Sequence, residues 1–109
     1  MANTFKLKTK ANVGVTTVGI YTAPAATTTV VIGITLANTS GSGVNVGVGI
    51  TRAGTTEDVK LLKNAPIPQG SSLEFMGGNK VVLEATDTVT VDSDTNSSVD
   101  ASLTIMEIT

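Results

Sequence analysis

The sequence predicts an all-β fold, a single antiparallel β-sandwich of jelly-roll or immunoglobulin-like type with about eight strands. The chain of 109 residues fits one domain, residues 1–109, with one core. Aromatic residues make up only 3% of it, whereas Val, Ile, Thr and Gly are abundant, and β-branched side chains favour strands. Short segments with alternating apolar residues, separated by turn residues, run along the whole chain without a convincing helical stretch.

The N-terminal segment TFKLKT is the first predicted strand. Its lysines share one face if the segment is extended, because successive side chains of a strand point to opposite sides. These candidate contact residues are Lys6, Lys8 and Lys10. We expect either an edge strand that its lysines protect against aggregation, or an extended arm, residues 1–10, that docks on an acidic neighbour.

The next segment, residues 13–21, changes its apolar phase across Thr16 and Thr17. One regular strand would turn half of its aliphatic side chains to water. The segment therefore predicts a bulge or a strand that crosses from one sheet to the other.

Two segments show the clearest alternation of apolar and polar residues. One face of the first carries Val30, Ile32, Ile34 and Leu36, and one face of the second carries Val44, Val46, Val48 and Ile50. Small polar residues and glycines lie between the two segments, and such residues suit tight turns. We therefore predict that the two strands form an antiparallel hairpin.

The opposite face of the second segment carries Gly47 and Gly49, so it has almost no side-chain bulk. Glycine lets another backbone approach closely. The partner is either a loop or strand of the same chain or another subunit, and both glycines are candidate subunit contacts.

Later strands are predicted in DVKLLKN, SSLEFM, VVLEA, TVTVDS and VDASLTIMEI. In the last of these, one apolar phase runs from Val99 to Ile105, and Met106 and Ile108 take the other phase. A strand that is apolar on both faces is often covered, so Met106 and Ile108 are further candidate subunit contacts.

The residue types present exclude much of enzyme chemistry. His, Cys and Trp are absent, which removes the usual general base, the thiol nucleophile and the common zinc ligands. Three glutamates lie in predicted strands, and we expect each to be a solvent-facing neighbour of an apolar residue; they are Glu74, Glu84 and Glu107. We expect no enzymatic activity and no cofactor.

The polar loop at residues 92–96 contains two Asp and one Asn, which are calcium-binding residue types. As an EF-hand it fails, because Ser97 stands where the loop needs glycine and Leu103 where it needs glutamate. We interpret it as a solvated turn, with weak calcium binding as the alternative.

The net charge of −2 and the absence of a basic run argue against a nucleic-acid partner. No apolar stretch reaches the roughly 18 residues of a membrane span, and no signal peptide is evident. We expect a soluble protein that is made in the cytoplasm and has no membrane partner.

Four stretches in a fixed order resemble a type of small structural protein from the virions of tailed phages, including cyanophages. They read IYTAPA from Ile20, VIGITLANTS from Val31, APIPQGSSLE from Ala65 and VLEATD from Val82. The resemblance covers the chain from Ile20 to Ile108. The sequence departs from the pattern at Thr86, where glycine usually precedes the Asp.

The resemblance implies a β-sandwich without enzymatic activity that acts as a capsid decoration or cement protein. A neck, tail or fibre component is the alternative, and a carbohydrate- or receptor-binding module is a further one. The implied partners are the major capsid protein or other virion proteins and further copies of the chain, with a trimer as one symmetry. The expected location is the virion, after synthesis in the host cytoplasm.

Overall fold

A computed structural model describes residues 3–75 and 80–109, and the side chain of Phe75 is not described. The described part is all β, without a helix, as predicted. Its strands are β1 (Asn3–Val13), β2 (Val18–Thr22), β3 (Thr28–Asn38), β4 (Val44–Arg52), β5 (Glu57–Ile67), β6 (Ser72–Phe75), β7 (Val81–Leu83), β8 (Thr88–Ser93) and β9 (Val99–Ile108).

The strands form two antiparallel sheets that pack as a sandwich. Sheet A has the order β1-β9-β3, and both β6 and β7 pair with β3 beyond it. Sheet B has the order β2-β8-β4-β5. Since β7 pairs with residues 29–31 and β6 with residues 34–37, the two short strands act as one interrupted strand. The result is two four-stranded layers in jelly-roll order, one of the two predicted architectures.

The core lies between the sheets and is almost entirely aliphatic. All four apolar residues predicted to share a face of β4 are buried there, which confirms that prediction. The largest fully buried side chains include Ile34, Leu36, Ile67, Leu83, Leu103 and Ile105. Burial of one such side chain contributes about 1.5–3 kcal/mol, so this core supplies the main driving force for folding.

The predicted phase of β3 is wrong at its first half. Opposite β9, Val31 faces Ile105 and Gly33 faces Thr104, so Ile32 is an extra residue in a bulge. Because a bulge shifts the alternation by one residue, Val30 lies on the outer face while Val31 is buried. Alternation read from the sequence assumes a regular strand and therefore placed Val30 inside.

The predicted hairpin of β3 and β4 is also wrong, since the two strands belong to different sheets. The connection at residues 39–43 crosses the end of the sandwich. The Asn38 amide nitrogen donates to the carbonyl oxygens of Ser42 (2.8 Å) and Ile67 (2.9 Å), and its oxygen accepts from the Ser40 N–H (2.9 Å). Small polar residues suit a crossing as well as a hairpin, so the turn chemistry alone did not decide between them.

The phase change in residues 13–21 is a crossing between sheets, one of its two predicted causes. Strand β1 ends at Val13 in sheet A and β2 begins at Val18 in sheet B. The side chains of both strands therefore meet the same core from opposite sides.

Candidate interaction surface

On the outer face of each sheet, strand pairing aligns residues in rows, and one row of sheet A differs sharply in polarity from a row of sheet B. Across sheet B, pairing aligns Thr22, Thr88, Thr51 and Asp58 in one row. Across sheet A, pairing aligns Phe5, Met106, Val30 and Val82. We call the second set the apolar row. A solvated outer face is normally polar, like the row on sheet B, so the apolar row of sheet A is the unusual feature.

The side chains at both ends of the apolar row are well exposed. Phe5 is 69% exposed and Val82 is 58% exposed. Leu7 lies two residues beyond Phe5 on the same face and is 65% exposed. Contiguous apolar surface of this kind marks interaction sites in soluble proteins.

Beside the apolar row, the same face of sheet A contains a shallow hollow of about 300 Å³. Small side chains from three neighbouring strands line it, among them Thr9, Ala11, Thr35, Ala37 and Ser102. Lys10 and Asp100 complete its rim. The apolar row, which forms a ridge, and the hollow between small side chains thus lie near each other on one face.

Met106 and Ile108, predicted as subunit contacts from their phase, are half-buried residues of this outer face. Met106 is a member of the apolar row, and Ile108 opposes Asn3 and Thr28 one step away from it. Their contact with another subunit stays a prediction.

The three lysines of β1 share a face, as predicted, and the pairing with β9 shows which face it is. Lys6, Lys8 and Lys10 oppose Ile105, Leu103 and Ala101, whose side chains point into the sandwich. Charged residues that point inward on an edge strand hinder pairing with another edge. Docking of the arm on an acidic neighbour stays a prediction, and residues 1 and 2 of that arm lie outside the described residues.

Glu107 corrects the prediction that all three strand glutamates face solvent. Its side chain is only 9% exposed, and its Oε1 lies 2.9 Å from the Lys6 Nζ. The Tyr21 hydroxyl donates to Glu107 Oε2 at 2.7 Å and contacts the Thr29 hydroxyl at 2.8 Å. Glu74 and Glu84 are exposed as predicted. The burial of Glu107 follows from its parity, since it continues the inward phase of Leu103 and Ile105.

The charge state of this network follows from its contacts. The hydrogen bond from Lys6, with that from Tyr21, lowers the pKa of Glu107, so the carboxylate is ionised at neutral pH. Burial, together with the neighbouring Glu107 charge, raises the pKa of Tyr21 to about 12. Tyr21 is therefore a neutral donor at neutral pH. The network joins β1, β9 and β3 of sheet A to β2 of sheet B.

Gly47 and Gly49 are covered by other parts of the same chain. A Cβ at Gly47 would lie 2.6 Å from the Asp92 Oδ1, and one at Gly49 would lie 2.9 Å from the Val59 carbonyl oxygen. The close approach is thus made by β5 and β8, as one of the two predicted interpretations had it. A subunit contact through these glycines stays a prediction.

The carboxylates of the 92–96 loop are engaged by protein groups. Asp92 Oδ2 accepts from the Thr17 hydroxyl at 2.9 Å, and Asp94 Oδ1 accepts from the Asn45 N–H at 3.1 Å. Among the described residues, no group of three His, Cys, Asp or Glu is placed to hold a metal ion. The same residues include no helix that is long and apolar enough to span a membrane.

Solved structures with a similar fold include a pilus chain and a viral-particle chain. A chain from a structure described as Bacillus endospore appendages that form disulfide-linked pili is 17% identical, with a TM-score of 0.57 over 99% of this chain and 87% of that one. A chain of the T13 IBDV viral particle is 12% identical, with a TM-score of 0.60 over 96% of this chain and 30% of that one. No protein-family model and no curated protein matches the sequence.

Proposed function

We propose that this chain is a non-enzymatic structural subunit of a tailed-phage virion, in the role of a capsid decoration or cement protein. The apolar row carries the proposal. This jelly roll leaves Phe5, Leu7 and Val82 in water, and the hydrophobic effect stabilises these side chains only when a neighbour covers them. The likeness to a viral-particle chain and to a pilus chain supports a role in assembly.

The mechanism needs only the burial of apolar surface. The free energy of burial and the cost of association together explain why this mechanism suits a particle with repeated binding sites. Full burial of one large apolar side chain contributes about 1.5–3 kcal/mol. Association itself costs roughly 4–15 kcal/mol, so one small patch binds weakly alone. A particle surface repeats its binding sites, and linked sites bind far more strongly than separate ones. The decoration protein therefore binds as a symmetric oligomer that holds neighbouring capsid subunits together.

The proposal includes no catalysis and no cofactor. The two buried carboxylates in the described part of the chain, Asp87 and Glu107, are each paired with a cation. Arg52 Nε lies 3.0 Å from Asp87 Oδ2, and Lys6 pairs with Glu107. Such fixed pairs support structure. The partners are the major capsid protein or other virion proteins, with neither nucleic acid nor membrane, and the location is the virion after synthesis in the host cytoplasm.

A filament component of the neck, tail or fibre is the second candidate, and the likeness to the pilus chain favours it. The pili in that description are disulfide-linked, whereas this sequence contains no cysteine. Filaments of this chain would therefore have to cohere through noncovalent contacts. Negative-stain electron microscopy of the concentrated protein separates the candidates, since filaments support the second.

Binding to undecorated heads of the phage that encodes the chain tests the leading proposal. We expect the purified protein to co-sediment with such heads at saturable stoichiometry and to raise the temperature at which they rupture. Heads that already carry their decoration serve as the control and should bind little more. No binding, or binding without a gain in heat resistance, would contradict the decoration role.

A further inference from the structure

We propose that the outer face of sheet A binds the same face of a second copy of this chain, in a two-fold dimer that seats the apolar row of each copy in the hollow of the other. The inference rests on the proposed structural role, because it names the partner that covers the apolar row before the particle assembles. Its basis is the presence of a ridge and a matching hollow on one face.

The hollow is large enough for the ridge. A cavity of roughly 150 Å³ holds a benzene molecule, and this hollow measures about 300 Å³. It therefore accommodates the phenyl ring of Phe5 together with an aliphatic neighbour. The small side chains of Ala11, Thr35 and Ala37 provide mainly carbon surface for these groups.

The position of the ridge and the hollow along the strands determines the symmetry. The apolar row crosses β1 at Phe5, and the hollow includes Thr9 and Ala11 further along the same strand. Leu7, Thr104 and Gly33 form the row between them. A two-fold axis along this middle row, perpendicular to the strands, places each ridge over the partner's hollow. In such an interface each surface meets its own copy.

The available area is sufficient for a specific dimer. Four strands about 4.8 Å apart span about 19 Å, and the stretch from Asn3 to Ala11 spans about 27 Å. The face thus covers about 500 Å² per copy and about 1,000 Å² in total. That total reaches the lower limit of specific interfaces, and two sheets packed face to face at about 10 Å provide a known geometry.

Charge is compatible with a second copy. The apolar row contains no ionisable group, and the acidic Glu74 and Asp100 lie at the hollow end of the face. The two-fold axis puts the hollow ends of the two copies far apart, so these carboxylates do not face each other. Lys6 and Lys8 point to the other side of the sheet, and Lys10 shares the rim of the hollow with Asp100, so this face has no net positive charge to attract acidic lipids.

Sedimentation equilibrium of the purified chain, without any capsid, tests the dimer. We expect a concentration-dependent mass that approaches twice the monomer's 11.0 kDa. Phe5→Asp, on the ridge, and Ala37→Trp, in the hollow, should each raise the dissociation constant at least about thirtyfold. Val15→Asp is the matched control, since Val15 is 56% exposed in the loop between β1 and β2, and it should change the constant less than threefold.

Circular dichroism and thermal unfolding establish that each variant is folded before its mass is interpreted. A monomer at all accessible concentrations, a trimer, or a dimer that both face variants leave intact would overturn the inference. These outcomes are distinct from a failure of the proposed function, because head binding is measured separately. A wild-type monomer that binds heads, with Phe5→Asp unable to bind them, would assign the face to another virion protein and not to a second copy.

Discussion

Glu107 lies in a strand, but its side chain is buried and does not face solvent as strand glutamates usually do. Its two oxygens are divided between the Lys6 ammonium and the Tyr21 hydroxyl. A buried carboxylate is expensive unless it is paired and hydrogen-bonded, and here both conditions are met. The same contacts attach edge strand β1 to the opposite sheet through Tyr21.

Titration of Tyr21 reports on this network directly, because Tyr21 is the sole tyrosine of the chain. Its pKa is raised to about 12, chiefly by burial. We expect the phenolate absorbance of the native protein to appear about two pH units above that of the urea-unfolded chain, whose midpoint is near 10. Stability should be full below pH 10 and fall as the pH rises toward 12. A native midpoint near 10 would show that the tyrosine is not held as described.

Replacement of Lys6 by Met keeps the aliphatic stem and removes the ion pair. We expect Lys6→Met to lower the free energy of unfolding by about 1–2 kcal/mol at pH 7. The folded-state pKa of Glu107 lies below its ordinary 4.5, so this contribution is present above pH 4.5 and is lost as the pH falls through the folded value. Urea unfolding at several pH values measures it. Lys10→Met is the control; an equal effect of both changes would contradict a specific role for the pair.

Thr86 occupies a backbone conformation that suits glycine, with a φ of 70°. It is the second inner residue of a turn closed by the Asp87 N–H and the Glu84 carbonyl at 3.1 Å. A β-branched residue with positive φ destabilises the fold by about 1–2 kcal/mol, and glycine avoids this strain. Part of the gain is lost, because glycine also gives the unfolded chain more conformational entropy. We expect Thr86→Gly to stabilise the fold by about 0.5–1 kcal/mol in urea unfolding.

Gly70 provides the reverse test of the same conformation, since its φ is 72° and no atom would crowd a Cβ there. Gly70→Ala should destabilise by about 1 kcal/mol through backbone strain alone. If both substitutions changed stability in the same direction, the explanation by backbone conformation would be wrong.

At the scale of strands, β4 depends on two glycines that let β5 and β8 pack closely. A Cβ at Gly49 would meet the backbone oxygen of Val59 at 2.9 Å, and backbone yields less readily than a flexible side chain. We expect Gly49→Ala to lower the free energy of unfolding by about 2 kcal/mol or more. Gly33→Ala, in β3, has open space around the new methyl group and should stay within about 0.5 kcal/mol. Equal effects in thermal unfolding would contradict the packing argument.

Alternation of residue types was sufficient to predict most strands and the all-β class, but it did not predict which strands pair. The turn after Asn38 has the composition of a hairpin loop, yet its strands separate into two sheets. An apolar face is satisfied equally by packing across a sandwich, so local sequence does not distinguish the two arrangements. The bulge at Ile32 was missed for a related reason, since a single extra residue leaves no mark on composition.

The same limit applied to the candidate surface. Phase alone identified Met106 and Ile108 as outward apolar residues, and it placed the lysines of β1 on one face. The apolar row also needs Val30 and Val82, which join Met106 only through the register of β3 with β7 and β9. Cross-strand neighbours are set by topology, which the sequence did not reveal.

The whole molecule is a sandwich whose outer face on sheet A contains an apolar row. The inner faces of the two sheets bury a core within the single chain, whereas Phe5 and Val82 at the ends of the apolar row stay in water until assembly covers them. We therefore assign folding to the inner faces of both sheets and assembly to the outer face of sheet A.

Thiol accessibility tests this division of roles between the faces, because the chain has no natural cysteine. Thr104→Cys places a thiol at the middle of the outer face of sheet A, and Thr51→Cys places one on the outer face of sheet B. Both positions are exposed in the single chain. We predict that assembly, into the dimer or into the particle, slows maleimide labelling of the first thiol at least about tenfold relative to the dilute monomer and leaves labelling of the second unchanged. Equal labelling of the first thiol in the dilute monomer and in the assembled protein would show that this face is not used in assembly.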